Sequence, residues 1–304
     1  MSNATRFYSL NDFLKERHGE KVMKLSLDGG FTCPNRDGKV ATGGCIFCSS
    51  RGSGDFTSSS KYSITKQMEE NITLLSNKWP NVTKYMPYFQ AYSSTYAPLQ
   101  VLKEQYEEAL SFPNVVGLAI ATRPDCLEED LLDYLGELNK RTHLWIELGL
   151  QTIHSKTSSF INRGHDLACF EESVYKLYNR GIEVVAHMII GLPYETREDI
   201  LATATYMSKL PLQGVKMHML HVLDNAPLGK LYNKEPFPLL TEDEYVEIVG
   251  EILKILPSHF VIHRLTGDGD RNHLIAPLWT THKTMVLNHI HKYLKSENIY
   301  QGYR

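Results

Sequence analysis

Three of the five cysteines, Cys33, Cys45 and Cys48, crowd into one segment with the spacing C-x11-C-x2-C. Thiolates are soft ligands. Three of them can hold three irons of a four-iron cluster while the remaining iron stays open to a ligand from outside the protein. A structural zinc site wants four closed ligands, and no fourth Cys or nearby His completes this set. Gly38, Gly43 and Gly44 let the backbone wrap a bulky group without Cβ clashes. A buried cysteine trio and a partial zinc knuckle are the plainer readings of the same spacing. Cys126 and Cys169 are isolated, on or beside helical segments, where Cys is commonly a small core residue, so they form no second cluster.

Other polar residues gather where apolar runs end: Gln90-Ala91-Tyr92-Ser93-Ser94-Thr95, Ala121-Thr122-Arg123-Pro124-Asp125 and Glu147-Leu148-Gly149-Leu150-Gln151. The elements that must position them alternate. Short β-rich runs at 22–27, 85–90, 115–121, 143–148, 182–190 and 214–221 are separated by segments of helical periodicity at 64–78, 98–111, 127–140, 166–180 and 196–210. Such βα units predict an α/β fold, a parallel sheet curled into a partial (β/α)6 barrel, with ligand groups at the C-terminal ends of its strands. Past about residue 236 the pattern changes: a helix at 241–256, a β-rich run at 259–265, a Gly/Asp turn and a last helix near 283–294. We expect a barrel core over 1–235 and a C-terminal α+β extension over 236–304 that packs on the open side.

At 42% hydrophobic and 22% charged residues the chain can build a full core and is not disordered. Thirty-two Lys and Arg against 35 Asp and Glu exclude a protein that coats nucleic acid through bulk charge, though not a local basic patch. The apolar stretch 184–192 is interrupted by His187 and falls far short of the roughly 20 residues of a membrane span. The N-terminal residues carry no signal-peptide pattern. The expected location is the cytoplasm, with no membrane partner.

The cysteine loop, with the aromatic Phe47 just before its third Cys, resembles the radical S-adenosylmethionine (radical SAM) superfamily. The wider C-x11-C-x2-C form, with LSLDGGFTCPNRDG at 25–38, Gly149-Leu150-Gln151-Thr152 and Asn162-Arg163-Gly164-His165, is similar to its YtqA/YhcC subgroup, related to the Elp3 type. The resemblance runs from Phe7 to Trp279. It implies a partial (β/α)6 barrel, a [4Fe–4S] cluster on Cys33, Cys45 and Cys48, and S-adenosyl-L-methionine (SAM) as cofactor. The implied chemistry is reductive cleavage of SAM to methionine and a 5′-deoxyadenosyl radical. The superfamily places the segment holding Gln90, Tyr92 and Ser93 against the methionine amino group. By similarity to the coproporphyrinogen-oxidase type, Gln151 would meet the ribose and Arg163 the carboxylate, which suits the fixed fork of a guanidinium. His187 stands where that type has an Asp; it could donate to a ribose hydroxyl or be a satisfied core histidine. The apolar wall and turn around Gly191, in Ile189-Ile190-Gly191-Leu192-Pro193, would pack on adenine, as would Phe47; an ordinary strand end is the alternative.

The subgroup is associated with the wobble uridine of tRNA, on the route from carboxymethylaminomethyl to aminomethyl and methylaminomethyl uridine. The resemblance therefore implies a tRNA substrate, an electron donor such as flavodoxin or ferredoxin, and a tRNA methyltransferase in the same pathway. The segment 281–304 carries four Lys or Arg against one acid, a surface for phosphates or a solvated helix face, and the turn 266–271 could present Asp268 or Asp270 to substrate. A radical SAM enzyme acting on a small metabolite or peptide, and a non-enzymatic metal-binding protein, are the other readings. A methylthiolating enzyme would need a second cluster, for which Cys126 and Cys169 are too few.

Overall fold

The structure, a computed structural model, describes residues 5–52, 54, 55 and 57–303. The strands are β1 (Val22–Leu27), β2 (Lys84–Phe89), β3 (Gly117–Thr122), β4 (His143–Gln151), β5 (Glu183–Ile190), β6 (Gly214–Met219), β7 (Val222–Leu223), β8 (Val261–Arg264) and β9 (Leu274–Ala276). The helices are α1 (Leu10–His18), α2 (Ile64–Ser76), α3 (Leu99–Leu110), α4 (Glu129–Asn139), α5 (Ser155–Phe160), α6 (Leu167–Tyr178), α7 (Arg197–Met207), α8 (Pro227–Lys234), α9 (Glu242–Ile255) and α10 (Lys283–Ser296).

Among the described residues, β1 to β6 and β8 form one parallel sheet in the order β1-β2-β3-β4-β5-β6-β8. The sequence predicts six strands; the structure adds a seventh. The run at 259–265, expected within the extension, is β8, which pairs with β6 and carries Arg264 opposite Lys216. Its other edge is covered, since the amide of Ile262 donates to the carbonyl of Tyr8, just before α1.

Side chains alternate along each strand. Leu25, Leu27, Leu118, Ile120, Leu144, Ile146, Leu148, Val184 and Met217 face outward into the main core beneath the helices. α4 shows the complementary spacing, burying Leu131, Leu132, Leu135 and Leu138, each worth about 1.5–3 kcal/mol when fully removed from water. The opposite set faces the barrel interior in layers. Val22, Met86, Trp145 and Val185 close its lower end against Leu14, Leu10 and Phe13 of α1. Above them come Lys24, Tyr88, Glu147 and Lys216, and above those the mouth. No helix among the described residues is long and apolar enough to cross a membrane.

Candidate functional site

The cysteine loop leaves the C-terminal end of β1 and is fastened to the connection between α5 and α6. Asn35 donates to the carbonyl of Asn162 at 2.5 Å, Asn162 donates to the carbonyl of Gly44 at 2.8 Å, and the amide of Ile46 donates to the carbonyl of Ile161 at 3.0 Å. Gly38, Gly43 and Gly44 have φ of 96°, 82° and 80°, which an L side chain resists, so the wrapping expected of them is built into the loop. Gly164 has φ 82°, and a Cβ there would lie 2.5 Å from Oδ1 of Asn35. The cysteine segment and the Asn-Arg-Gly-His segment thus make one unit.

Cys33, Cys45 and Cys48 are free thiols and line one cleft at the mouth, together with Phe47, Gln90, Tyr92, Ser93, Gln151, Arg163 and His187. The space within the cleft, open solvent included, is about 860 Å³. Among the described residues no trio of His, Cys, Asp or Glu converges on a single ion. The donor set itself, three soft thiols lining one cleft, is of the kind that holds an iron–sulfur cluster. A hydrogen bond from Cys48, with Arg123 and Arg163 nearby, brings the Cys45 thiol down to about 7 against the opposing effect of burial, while Cys48 is pushed up. Arg123 is itself fixed by a two-pronged pairing with Asp125 at 2.8 and 2.6 Å.

Each remaining residue has its own geometry. Ser93 is fully buried, and its hydroxyl has no partner among the described residues beyond the weak thiol of Cys126. An orphaned buried hydroxyl beside a cleft suits a ligand contact. Tyr92, at φ 57°, donates its hydroxyl to the carbonyl of Ser50 at 2.7 Å. Gln151, at φ 60°, turns the end of β4 into the cleft. Gln90 accepts from the hydroxyl of Ser26 at 3.3 Å. Arg163 is 2% exposed, which removes the solvated-surface reading. Its Nε and Nη1 donate to the carbonyls of His165, Leu150 and Thr152, leaving Nη2 without an acceptor among the described residues.

Three further residues are placed by the structure. His187 places Nε2 2.7 Å from Oε2 of Glu147, and burial, reinforced by Lys216, lowers it to about 4. A neutral ring that donates through Nε2 has only an acceptor left at Nδ1, so it cannot donate to a ribose hydroxyl. Gly191 does not line the cleft: at φ 89° it forms the turn after β5, where a Cβ would lie 3.1 Å from Leu240. Lys283 pairs with Asp268 at 2.5 Å, and Lys292 and Lys295 are exposed on α10. Asp268 and Asp270 do line the outer cleft.

The sequence reading missed the polar layer beneath the mouth. Glu147, fully buried, accepts from Lys24 and Trp145 at one oxygen and from Tyr88, Lys216 and His187 at the other, the last three at 2.7, 2.8 and 2.7 Å. Burial works against ionisation of Glu147, but Lys216 and Lys24 overcome it and hold the carboxyl well below the usual range. Burial moves the Lys216 ammonium below the ordinary lysine value, with Glu147 opposing. The legible signal is one charged residue per apolar strand, each on the inward phase of the alternation.

The family model of the Radical SAM superfamily matches residues 36–207, and that of the Radical_SAM C-terminal domain residues 212–296. The chain is 47% identical over 297 residues to YtqA of Bacillus subtilis (strain 168), covering 98% of this chain and 92% of that protein. It is 36% identical over 287 residues to YhcC of Escherichia coli (strain K12), covering 94% and 91%. Among solved structures it superposes on the archaeal Methanocaldococcus infernus Elp3 with TM-score 0.69 at 16% identity, over 92% of this chain and 64% of that one, a likeness of fold.

Proposed function

Because this chain belongs to the radical SAM superfamily and is a radical SAM enzyme related to Elp3, we propose that it modifies the wobble uridine of tRNA, on the route from carboxymethylaminomethyl to aminomethyl and methylaminomethyl uridine. In this reading Cys33, Cys45 and Cys48 hold a [4Fe–4S] cluster and the neighbouring cleft holds SAM. When bound, these groups supply reductive cleavage of the sulfonium and a 5′-deoxyadenosyl radical that takes hydrogen from the substrate. The observation that supports the cluster and SAM in this reading is the convergence of the three thiols, the orphaned Ser93 hydroxyl and Arg163 on one cleft, and the tRNA substrate rests on the likeness to YtqA and Elp3.

The protein's own residues bind, orient and exclude water. Ser93 offers its hydroxyl to the amino group of SAM, and Nη2 of Arg163 faces its carboxylate as a single donor, since the other nitrogens are committed to backbone. Gln151 and Nδ1 of His187 receive ribose hydroxyls, and Phe47 flanks the adenine. The barrel over 1–235, together with β8, houses this chemistry, and the rest of the extension over 236–304 receives the RNA, with Lys292 and Lys295 offered to phosphates. A turned-out anticodon nucleotide reaches the cleft at little cost because the loop is single-stranded. Flavodoxin or ferredoxin serves as electron donor, and a tRNA methyltransferase acts in the same pathway. The test is the modified-nucleoside profile of tRNA from cells lacking this protein: carboxymethylaminomethyl uridine should accumulate, and an unchanged profile would reject the tRNA reading in favour of a small substrate.

A further inference from the structure

The cations around the cleft divide into two groups. On the cysteine side Arg36, Arg123 and Arg163 face three thiols, and Arg123 has Asp125 as well. On the opposite side stand Lys216 and Arg264; Glu147 beneath them is shared with a third cation, Lys24, and Asp268 and Asp270 lie farther out in the turn after β8. Arg264 donates Nε to the carbonyl of Thr266 and forms no ion pair among the described residues. Lys24, Lys216, Arg264 and Lys283 thus face two carboxylates, Glu147 and Asp268, and Asp268 is the acid that acts most strongly on Arg264. An excess of partly buried positive charge is costly unless something anionic meets it.

The surroundings preserve that excess. Asp268, the acid next to Arg264 in the turn after β8, is drawn to Lys283 at 2.5 Å. The turn lies directly on the side chains it presents: a Cβ at Gly267 would fall 2.7 Å from Cε1 of His221 and 3.0 Å from Nη2 of Arg264, and one at Gly269 would fall 2.5 Å from Cδ2 of His221. Only glycine allows this approach, which holds the guanidinium in place. His218 and His221 each keep Nε2 buried without a partner, and both line the cleft beside Arg264. Terminal guanidinium nitrogens without a protein acceptor, an adjacent ammonium and an unpartnered imidazole suit a planar carboxylate.

We infer that Arg264, Lys216 and His218 form a subsite for a carboxylate carried by the substrate, on the wall facing the cysteines. The tRNA reading identifies the bearer, since the carboxymethylaminomethyl group ends in a carboxylate; the subsite itself rests on the charge arrangement alone.

The test uses calorimetry on the cluster-loaded protein with SAM present. Two nucleosides are compared, 5-carboxymethylaminomethyluridine and 5-methylaminomethyluridine, which differ by the carboxylate and contain no phosphate. A second pair, N-benzylglycine and N-methylbenzylamine, repeats the comparison without uracil. The carboxylate member of each pair should bind about tenfold tighter. In Arg264→Gln the preference should vanish and in Arg264→Lys it should partly return, with SAM affinity unchanged in both. Equal binding within both pairs, or no binding by any of the four, would overturn the subsite. So would a parallel loss of SAM affinity in Arg264→Gln, which would assign the fork to the carboxylate of SAM. A preference in the benzyl pair with none between the nucleosides keeps the subsite and rejects the uridine reading.

Discussion

The ammonium of Lys216 on β6 lies 2.8 Å from Oε2 of Glu147 on β4, inside the barrel and directly beneath the cleft. Glu147 gathers donors from β1, β2, β4, β5 and β6, so it ties most of the sheet together at one point. Removing one partner of a buried ion pair leaves the others uncompensated. Glu147→Ala should cost about 3–5 kcal/mol in denaturant unfolding. The exposed pair Lys140 with Glu137 gives the contrast, since Lys140→Ala should cost less than about 0.5 kcal/mol. A Glu147→Ala protein as stable as the parent would show that the network contributes nothing.

Stability should decline as pH falls from 6.5 toward 4. Burial lowers His165, His187 and His221 each from 6.5 to about 4, so between these values the unfolded chain binds protons that the folded state refuses. The contribution is fully present above 6.5 and lost as pH falls through 4. Glu147, held low in the fold, acts in the same direction at more acid pH. For His187 the effect is on the order of 2 kcal/mol, and His187→Gln should flatten the stability curve between pH 6.5 and 4. A variant curve parallel to that of the parent would contradict the buried neutral imidazole.

Anaerobically prepared protein should carry about four irons per chain, and Cys33→Ala, Cys45→Ala or Cys48→Ala should abolish them. Cys126→Ala and Cys169→Ala should not. Gly164→Ala is the subtler variant: it forces a side chain into φ 82° and pushes a methyl group to 2.5 Å from Asn35. It should destabilise the loop by about 1–3 kcal/mol and lower iron retention without touching a ligand. Full iron content in this variant would show that the two segments are not coupled.

Ser93→Ala separates a ligand contact from a structural one. Removing a buried hydroxyl whose one partner among the described residues is the weak thiol of Cys126 should leave the ligand-free protein nearly as stable, while SAM affinity falls by about 0.5–1.5 kcal/mol. Lower stability with unchanged SAM affinity would place Ser93 in the scaffold instead.

The cysteine trio is legible because its ligands lie close together in sequence, with glycines between them, so spacing alone carries the signal. The first six strands are legible because each is followed by turn residues and a helical period. β8 is legible as a β-rich run but not as a strand of this sheet, because the β7 strand, α8 and α9 intervene before it and break the regular βα rhythm. Glu147, Lys216 and Arg264 come from three strands far apart in the chain, and a single polar residue in an apolar strand says little until the curl of the sheet brings them face to face. His187 looked equivocal in sequence because nothing local reveals Glu147 as its partner. The C-terminal lysines looked like one basic surface because the pairing of Lys283 with Asp268 depends on how the turn after β8 meets α10.

The tRNA reading is tested most directly by incubating the anaerobic, cluster-loaded protein with SAM, a reductant and tRNA bearing carboxymethylaminomethyl uridine at the wobble position, then quantifying 5′-deoxyadenosine and the tRNA nucleosides together. We expect 5′-deoxyadenosine to form in step with loss of the carboxymethylaminomethyl nucleoside. Formation of 5′-deoxyadenosine with that nucleoside left intact would contradict the tRNA assignment while leaving the radical SAM chemistry standing.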